Sequence, residues 1–243
     1  RIDAVSESTH IQNDQRNRAV AFKDVFAWNI SEVSGLDFGT DFSRISSWGT
    51  SVNEEGKIAD DRFKNNETKY AGFVSYRLFS EKWKGSVGLR YEYVHAINTD
   101  QGEVKNRNDY SDLLPSLSLS TSLGKVDMSL DFSSRVNRPS FRQLNNSVSY
   151  NNQYHYEQGN IYLKPQYVYD AEFSLDYGIF DFKVDYQYIK DYIHPTVVAI
   201  AGKPGTVAWM STNADRFQQL GAQCVVAPVI GCWRPTLTAG VYK

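Results

Sequence analysis

Residues 115–133 read PSLSLSTSLGKVDMSLDFS. Leu117, Leu119, Thr121 and Leu123 fall on one parity, and Ser116, Ser118, Ser120 and Ser122 on the other. After Gly124 the rhythm resumes, with Val126, Met128, Leu130 and Phe132 set against Asp127, Ser129, Asp131 and Ser133. Successive side chains of a strand point to opposite faces, so a strict period of two predicts two strands, each with one apolar and one wet face.

The same pattern extends in both directions. Upstream, Trp83, Val87, Leu89, Tyr91 and Tyr93 oppose Lys84, Ser86, Arg90 and Glu92. Downstream, Tyr169, Ala171, Phe173 and Leu175 alternate with Asp170, Glu172, Ser174 and Asp176. Phe180, Phe182, Val184 and Tyr186 then oppose Asp181, Lys183, Asp185 and Gln187. The periodicity predicts about ten strands, near 18–31, 35–48, 70–80, 83–97, 110–122, 125–136, 167–177, 179–192, 213–227 and 232–243. Most run to roughly ten residues or more, against a usual five or six in soluble proteins. A tilted strand needs about 9–11 residues to cross a bilayer.

The connections alternate between short and long. Tight turns are expected at 31–34, 81–82, 123–124, 178 and 228–231, and long polar connections at 49–69, 98–109, 137–165 and 193–212. Outer-membrane barrels show this rhythm, because their inner turns are short and their outer loops long. The pattern predicts an antiparallel up-and-down sheet with Leu117, Leu119, Leu130, Phe132, Phe173, Leu175, Phe182 and Val184 on the lipid side.

Composition agrees with that class. The chain has 243 residues, 16 Tyr, 13 Phe and 5 Trp, yet its mean hydropathy is -0.48. No run of about 18 apolar residues exists, as a membrane helix would need, whereas a transmembrane barrel needs only alternation. A net charge of -2 argues against nucleic acid as a partner. Cys224 and Cys232 cannot build a disulfide framework. They can pair across a hairpin or stay free, and the reading favours two free thiols. The chain opens on Arg1 and ends on Lys243 inside an expected strand, so both ends read as cuts in a longer protein.

The stretch from Ser134 to Gln166 carries a family resemblance. Arg135, Asn137, Arg138, Pro139, Gln143 and Leu144 form a strand-to-loop motif. Gln158, Gly159, Asn160, Leu163, Lys164 and Pro165 form a loop-to-strand motif close to G-N-P-x-L-K-P-E. Both resemble the C-terminal barrel of TonB-dependent receptors, in the form abundant in Bacteroidetes-type bacteria, and Leu113-Leu114-Pro115 fits the same pattern. Ile161 stands where the family usually has Pro, and Gln166 where it has Glu.

The resemblance implies that residues 1–243 are part of an all-β transmembrane barrel in the outer membrane, with no plug domain in this chain. It implies nutrient uptake, and as partners outer-membrane lipid, the remaining barrel, a plug, TonB acting through the plug, and a nutrient ligand. Family barrels are larger than ten strands, so this piece is expected not to close alone, leaving edges near 18–31 and at Lys243. The rival readings are a soluble β-sandwich module binding glycans, and an outer-membrane barrel enzyme.

The residues of the motif also have a local reading. Pro139 lacks an N–H and ends a ladder. Gly159-Asn160 suits a turn with positive φ, and Pro165 keeps Lys164 extended. Arg135 and Arg138 can pair with lipid phosphates, with acidic loop residues or with water. Shaping the loop edge is the better reading for the whole motif, with surface recognition as its alternative. No catalytic or cofactor site is expected. His10, His95, His155 and His194 lack metal-ligand spacing, and no nucleophile elbow or phosphate loop occurs. The acidic pairs Asp170/Glu172 and Asp181/Asp185 recur as hydrated faces.

Overall fold

The computed structural model describes residues 11–53, 60–144, 148–152, 154–200 and 205–243. It contains β1 (Ile11–Ser31), β2 (Ser34–Asn53), β3 (Asp61–Phe79), β4 (Trp83–Asp100), β5 (Glu103–Leu123) and β6 (Val126–Asn137). The short α1 (Phe141–Leu144) and the small strands β7 (Val148–Asn152) and β8 (His155–Gln158) follow. The chain then builds β9 (Gln166–Tyr177), β10 (Phe180–Ala199), β11 (Val207–Val226) and β12 (Leu237–Tyr242).

All twelve strands belong to one sheet. From β1 to β6 and again from β9 to β12, each strand pairs antiparallel with its sequence neighbour. The insertion between β6 and β9 is the exception. There β6 pairs β9 directly, while β8 lies parallel to the start of β11 through Val207–Trp209. No Greek-key crossover joins β5 to β9. Among the described residues no pairing joins β1 to β12, so the sheet is open, as expected for part of a larger barrel.

Every one of the ten expected strands is present, but the connections differ from expectation. Residues 98–109 are not a loop. β4 and β5 run on to a two-residue turn at Gln101-Gly102, whose φ angles of 50° and 83° are those of a hairpin whose twist suits its strands. β2, β3, β10 and β11 are likewise longer than the alternation suggests. The physical reason is that the alternation is lost while the ladder continues: the extensions of β2 to β5 are mostly polar on both faces, and those of β10 and β11, Val197-Val198-Ala199 and Val207-Ala208-Trp209-Met210, are apolar on both. At the other end, the expected tight turn at 228–231 is a ten-residue connection containing an Ile230–Trp233 bridge. Pro228 and Pro235 cannot donate to a ladder, and β12 starts at Leu237 rather than 232.

The faces follow the expected parity. One continuous row, Trp28, Leu36, Tyr76, Val87, Leu117, Phe132, Ala171 and Tyr186, crosses eight strands as direct partners. On the opposite side Ser118, Asp131, Glu172 and Asp185 form a matching polar row. Burial is inverted relative to a soluble protein: Leu113 is 62% and Val87 60% exposed, whereas Ser47 is 0% and Asp112 5% exposed. A soluble sandwich buries apolar inner faces between two sheets; one sheet with a polar inner face and a bare apolar outer face does not fit it.

The outer apolar band on β4 runs from Trp83 to Tyr93. At about 3.3 Å per residue it is about 33 Å long, or about 25 Å high at a tilt near 40°, the height of a bilayer's hydrocarbon core as barrels meet it. The buried apolar residues Val94, Leu114, Val168 and Ile189 lie on the inner face, toward the long-connection end. Cys224 and Cys232 are both free thiols; Cys224 pairs with Phe182 on the outer face, and Cys232 sits in the connection before β12.

Leu130 projects outward near the middle of the band, beside the inward Ser129. In the folded full-length protein, Leu130→Arg should cost about 2–4 kcal/mol and Ser129→Arg close to nothing, read by denaturant unfolding from bilayers. Equal costs would mean that both faces are buried.

Candidate functional site: the lumen wall and its inward loop

The strands of the wall are unequal. β6 stops at Asn137 and β9 starts at Gln166, while neighbouring β5 and β10 continue toward the long-connection end. The β5–β6 ladder covers only Ser116–Leu123, which leaves a notch above it. The described residues between 138 and 165 fold into this notch, and the two halves of the sequence motif meet there.

The first half turns inward. Arg138 extends from the end of β6 across the inner face, with its guanidinium 3.0 Å from Glu92 of β4 and 2.9 Å from Asp112 of β5. Both carboxylates are buried, and Asp112 also accepts a 2.9 Å hydrogen bond from the Tyr167 hydroxyl. Arg90 joins the network by spanning Glu92 at 2.8 Å and Asp41 at 2.9 Å, and Lys69 lies 3.3 Å from Asp41. A charged rung thus crosses the inner wall from β2 to β6. Arg135 pairs with Asp170 lower down, and Gln187 donates to the same carboxylate at 2.7 Å. Both arginines therefore face strand carboxylates of the lumen, away from lipid.

Pro139 is buried at the turn, and α1 begins immediately after it. The Ser140 N–H donates to Gln143 Oε1 at 2.9 Å, and the Gln143 N–H donates to Ser140 Oγ at 3.3 Å. This is a capping box, in which two helix-terminal donors are satisfied reciprocally. Leu144 closes the turn through its N–H to the Ser140 carbonyl at 3.1 Å. Asn137 ends β6 opposite Gln166, with its side chain exposed.

The second half is the fastener. The Asn160 N–H donates to the Gln143 carbonyl at 2.6 Å, which joins the two halves. Its side-chain amide donates to the Ser211 carbonyl of β11 at 3.1 Å, and its Oδ1 accepts the Tyr162 N–H at 3.0 Å. That second bond is an Asx turn. Neither Gly159 nor Asn160 takes positive φ; the side chain of Asn160 makes the turn.

Leu163 is 2% exposed and Pro165 is buried, so both anchor the segment. Lys164 is held by its backbone: its N–H donates to Asn213 Oδ1 at 2.9 Å, and its carbonyl accepts from Asn213 Nδ2 at 3.1 Å. Gln166 Oε1 accepts the Ile193 N–H at 2.8 Å, which serves β10 after it leaves β9 near Asp191 (φ 53°). A glutamate would supply the same acceptor. Ile161 sits second in the turn closed by Leu163 N–H to Asn160 O, and its carbonyl accepts from Asn106 of β5. That position suits proline, and the turn forms with isoleucine in its place.

Gln158 and Gly159 line the inner cavity together with Phe141, Arg142 and Gln143. The cavity is about 590 Å³ and opens toward Gln15, Phe63 and Trp209. Phe63 pairs with Gly49, where a methyl group would come within 2.7 Å of the ring; the glycine lets the ring lie against β2. Arg142 is paired with Glu157 at 2.5 Å. Among the described residues no group of His, Cys, Asp and Glu could hold a metal ion.

The partners Glu92, Asp112, Asn106, Ser211 and Asn213 were not foreseen. They lie on strands far away in sequence, and nothing local marks them. The capping box was legible as Ser140-x-x-Gln143.

The model of the outer membrane protein beta-barrel family matches residues 3–242. The chain belongs to that family. Its place is accordingly the outer membrane. No curated protein matches the chain. Among solved structures this barrel is similar to the copper transporter OprC, with a TM-score of 0.65 at 13% identity, covering 96% of this chain and 39% of that one. The FrpB iron transporter from Neisseria meningitidis gives 0.60 at 14%, covering 95% and 36%. The hemophore receptor HasR of Serratia marcescens, solved as a double mutant with its hemophore HasA and heme, gives 0.60 at 14%, covering 94% and 42%. At these identities the shared property is the barrel fold. This family member spans roughly two-fifths of the length of each.

Removing Arg138 leaves Asp112 with no cation and only the Tyr167 hydroxyl, facing a Glu92 that keeps Arg90 alone. Arg138→Ala should cost about 3 kcal/mol, and Arg138→Lys should recover only part, because one ammonium cannot reproduce the fork. Denaturant unfolding of the full-length protein measures both, and a cost below about 1 kcal/mol would show a rung fully hydrated by lumen water. By contrast, Ile161→Pro should be neutral or stabilise by up to about 1 kcal/mol in the same measurement.

Proposed function

We propose that this chain is part of the barrel wall of a TonB-dependent outer-membrane receptor that takes up a nutrient. The remaining barrel, a plug and TonB acting through the plug complete the machine. The observation that carries this reading is the inward fold of residues 138–144 and 154–165. An ordinary surface loop spreads into solvent, whereas this one is fastened across the lumen wall by Arg138, Asn160 and Lys164. It narrows the interior and leaves a cavity of about 590 Å³, within the usual range for a small-molecule site.

The polar inner rows support a hydrated path for cargo, and the outer apolar rows support a lipid contact on the other side. The solved relatives with this fold are titled as copper and iron transporters and a hemophore receptor. Aromatic rings of Phe63, Phe141 and Trp209 beside the amides of Gln15 and Gln143 give the cavity apolar area with a few polar contacts. The role is binding and passage, not catalysis.

The test is conductance of the full-length protein in planar bilayers with potassium chloride on both sides. A plugged receptor gives no steady current, and deleting the plug opens a large pore. Steady conductance from the intact protein would make it a passive porin and end the proposal.

A further inference from the structure

The outer face above the apolar band is not used by the proposed transport path. Its rows follow from the strand register. Phe22, Phe42, Tyr70 and Tyr93 form an aromatic row as direct partners across β1 to β4, with Phe42 and Tyr70 rings 5.2 Å apart. Aromatic rows of this kind mark the boundary between hydrocarbon and headgroups. Residues on the same parity, further toward the long connections, therefore stand at headgroup level.

Six of those residues are cations: Arg16 and Arg18 on β1, Arg44 on β2, Arg62 and Lys64 on β3, and Arg107 on β5. All six are exposed. The register places Arg44 opposite Val20, Lys64 opposite Trp48, and Arg107 opposite Ile97, all on the outer parity. At about 4.8 Å between strands, the patch is about 19 Å wide.

The carboxylates on this parity beside the patch are Asp14 and Asp109. Asp14 lies 3.6 Å from Arg16. Asp109 is engaged by His95 Nδ1 at 2.6 Å and by the Tyr93 hydroxyl at 2.8 Å. Among the described residues Arg18, Arg44, Arg62 and Lys64 have no ion-pair partner. In a chain of net charge -2 this is a marked local excess.

We infer that this face is a binding site for the phosphorylated glycolipid of the outer leaflet. The apolar band continues below it to take acyl chains, and the cations above the aromatic row meet phosphates at headgroup depth. Arginine is suited to this because its fork bonds phosphate oxygens in pairs, and cations at a membrane surface add attraction to anionic lipid. The long-connection end is the outer end of such barrels, which selects the outer leaflet.

The experiment uses the full-length protein in mild detergent, mixed with lipid A in its bisphosphorylated or its dephosphorylated form. Retained lipid is counted by native mass spectrometry. The wild type should keep the bisphosphorylated form in preference. R18Q/R44Q/R62Q/K64Q should lose it by about fivefold for each cation removed, while K82Q/K84Q/K125Q, beside the short turns, should retain it. Heat-modifiable migration checks that each variant is folded. If the quadruple variant does not fold, the wild-type comparison of the two lipid forms still decides. Equal retention of both forms, full retention by the folded quadruple variant, or displacement of the lipid by millimolar inorganic phosphate would overturn the assignment.

Discussion

A bilayer offers no water to the backbone. Each unpaired N–H or C=O in hydrocarbon costs several kcal/mol, so a chain that crosses with strands must place all of them in ladders. This constraint organises the whole molecule. It explains strands of up to 21 residues and nearest-neighbour antiparallel pairing. It also means that the open edges at β1 and β12 would each need a strand partner in lipid. With the backbone committed to ladders, side chains alone distinguish outside from inside. Leu117, Leu119 and Leu130 face lipid, and Ser118, Asp131 and Glu172 face the lumen.

The same constraint governs the notch above β6 and β9. Where two strands stop early, β5 and β10 each lose a ladder partner on that side, and side-chain bonds around residues 160–166 replace it. Asn106, Gln166 and Asn213 do for this region what ladder carbonyls and amides do elsewhere. Arg138 then neutralises Glu92 and Asp112, which face each other across β4 and β5 and would otherwise repel. Arg138, Asn160 and Lys164 thus fasten this segment to the inner face of the sheet.

Much of this was legible in the sequence, for identifiable reasons. The alternation at 115–133 fixed the faces because each residue obeys a two-valued rule. Leu130 and Ser129 cannot both face lipid. The hairpin at Gln101-Gly102 was hidden, because Asn98, Thr99, Asp100, Asn106, Arg107 and Asn108 are polar on both parities and carry no period. The β7–β8 hairpin was hidden because His155–Gln158 is too short for a pattern. The role of Arg138 was only half visible. Its position beside Pro139 marked a loop edge, but its partners lie 26 and 46 residues away, a separation that only the folded register resolves.

The central claim is that lipid and lumen faces alternate residue by residue on a single sheet. Spin labels placed singly at Leu117, Ser118, Leu119 and Ser120 of the full-length protein in bilayers test it most directly. Collision rates with oxygen, which partitions into lipid, should be high at Leu117 and Leu119 and low at Ser118 and Ser120. A water-soluble nickel chelate should give the reverse. A uniform profile, with all four positions shielded from both reagents, would place this strand in a soluble core and contradict the account.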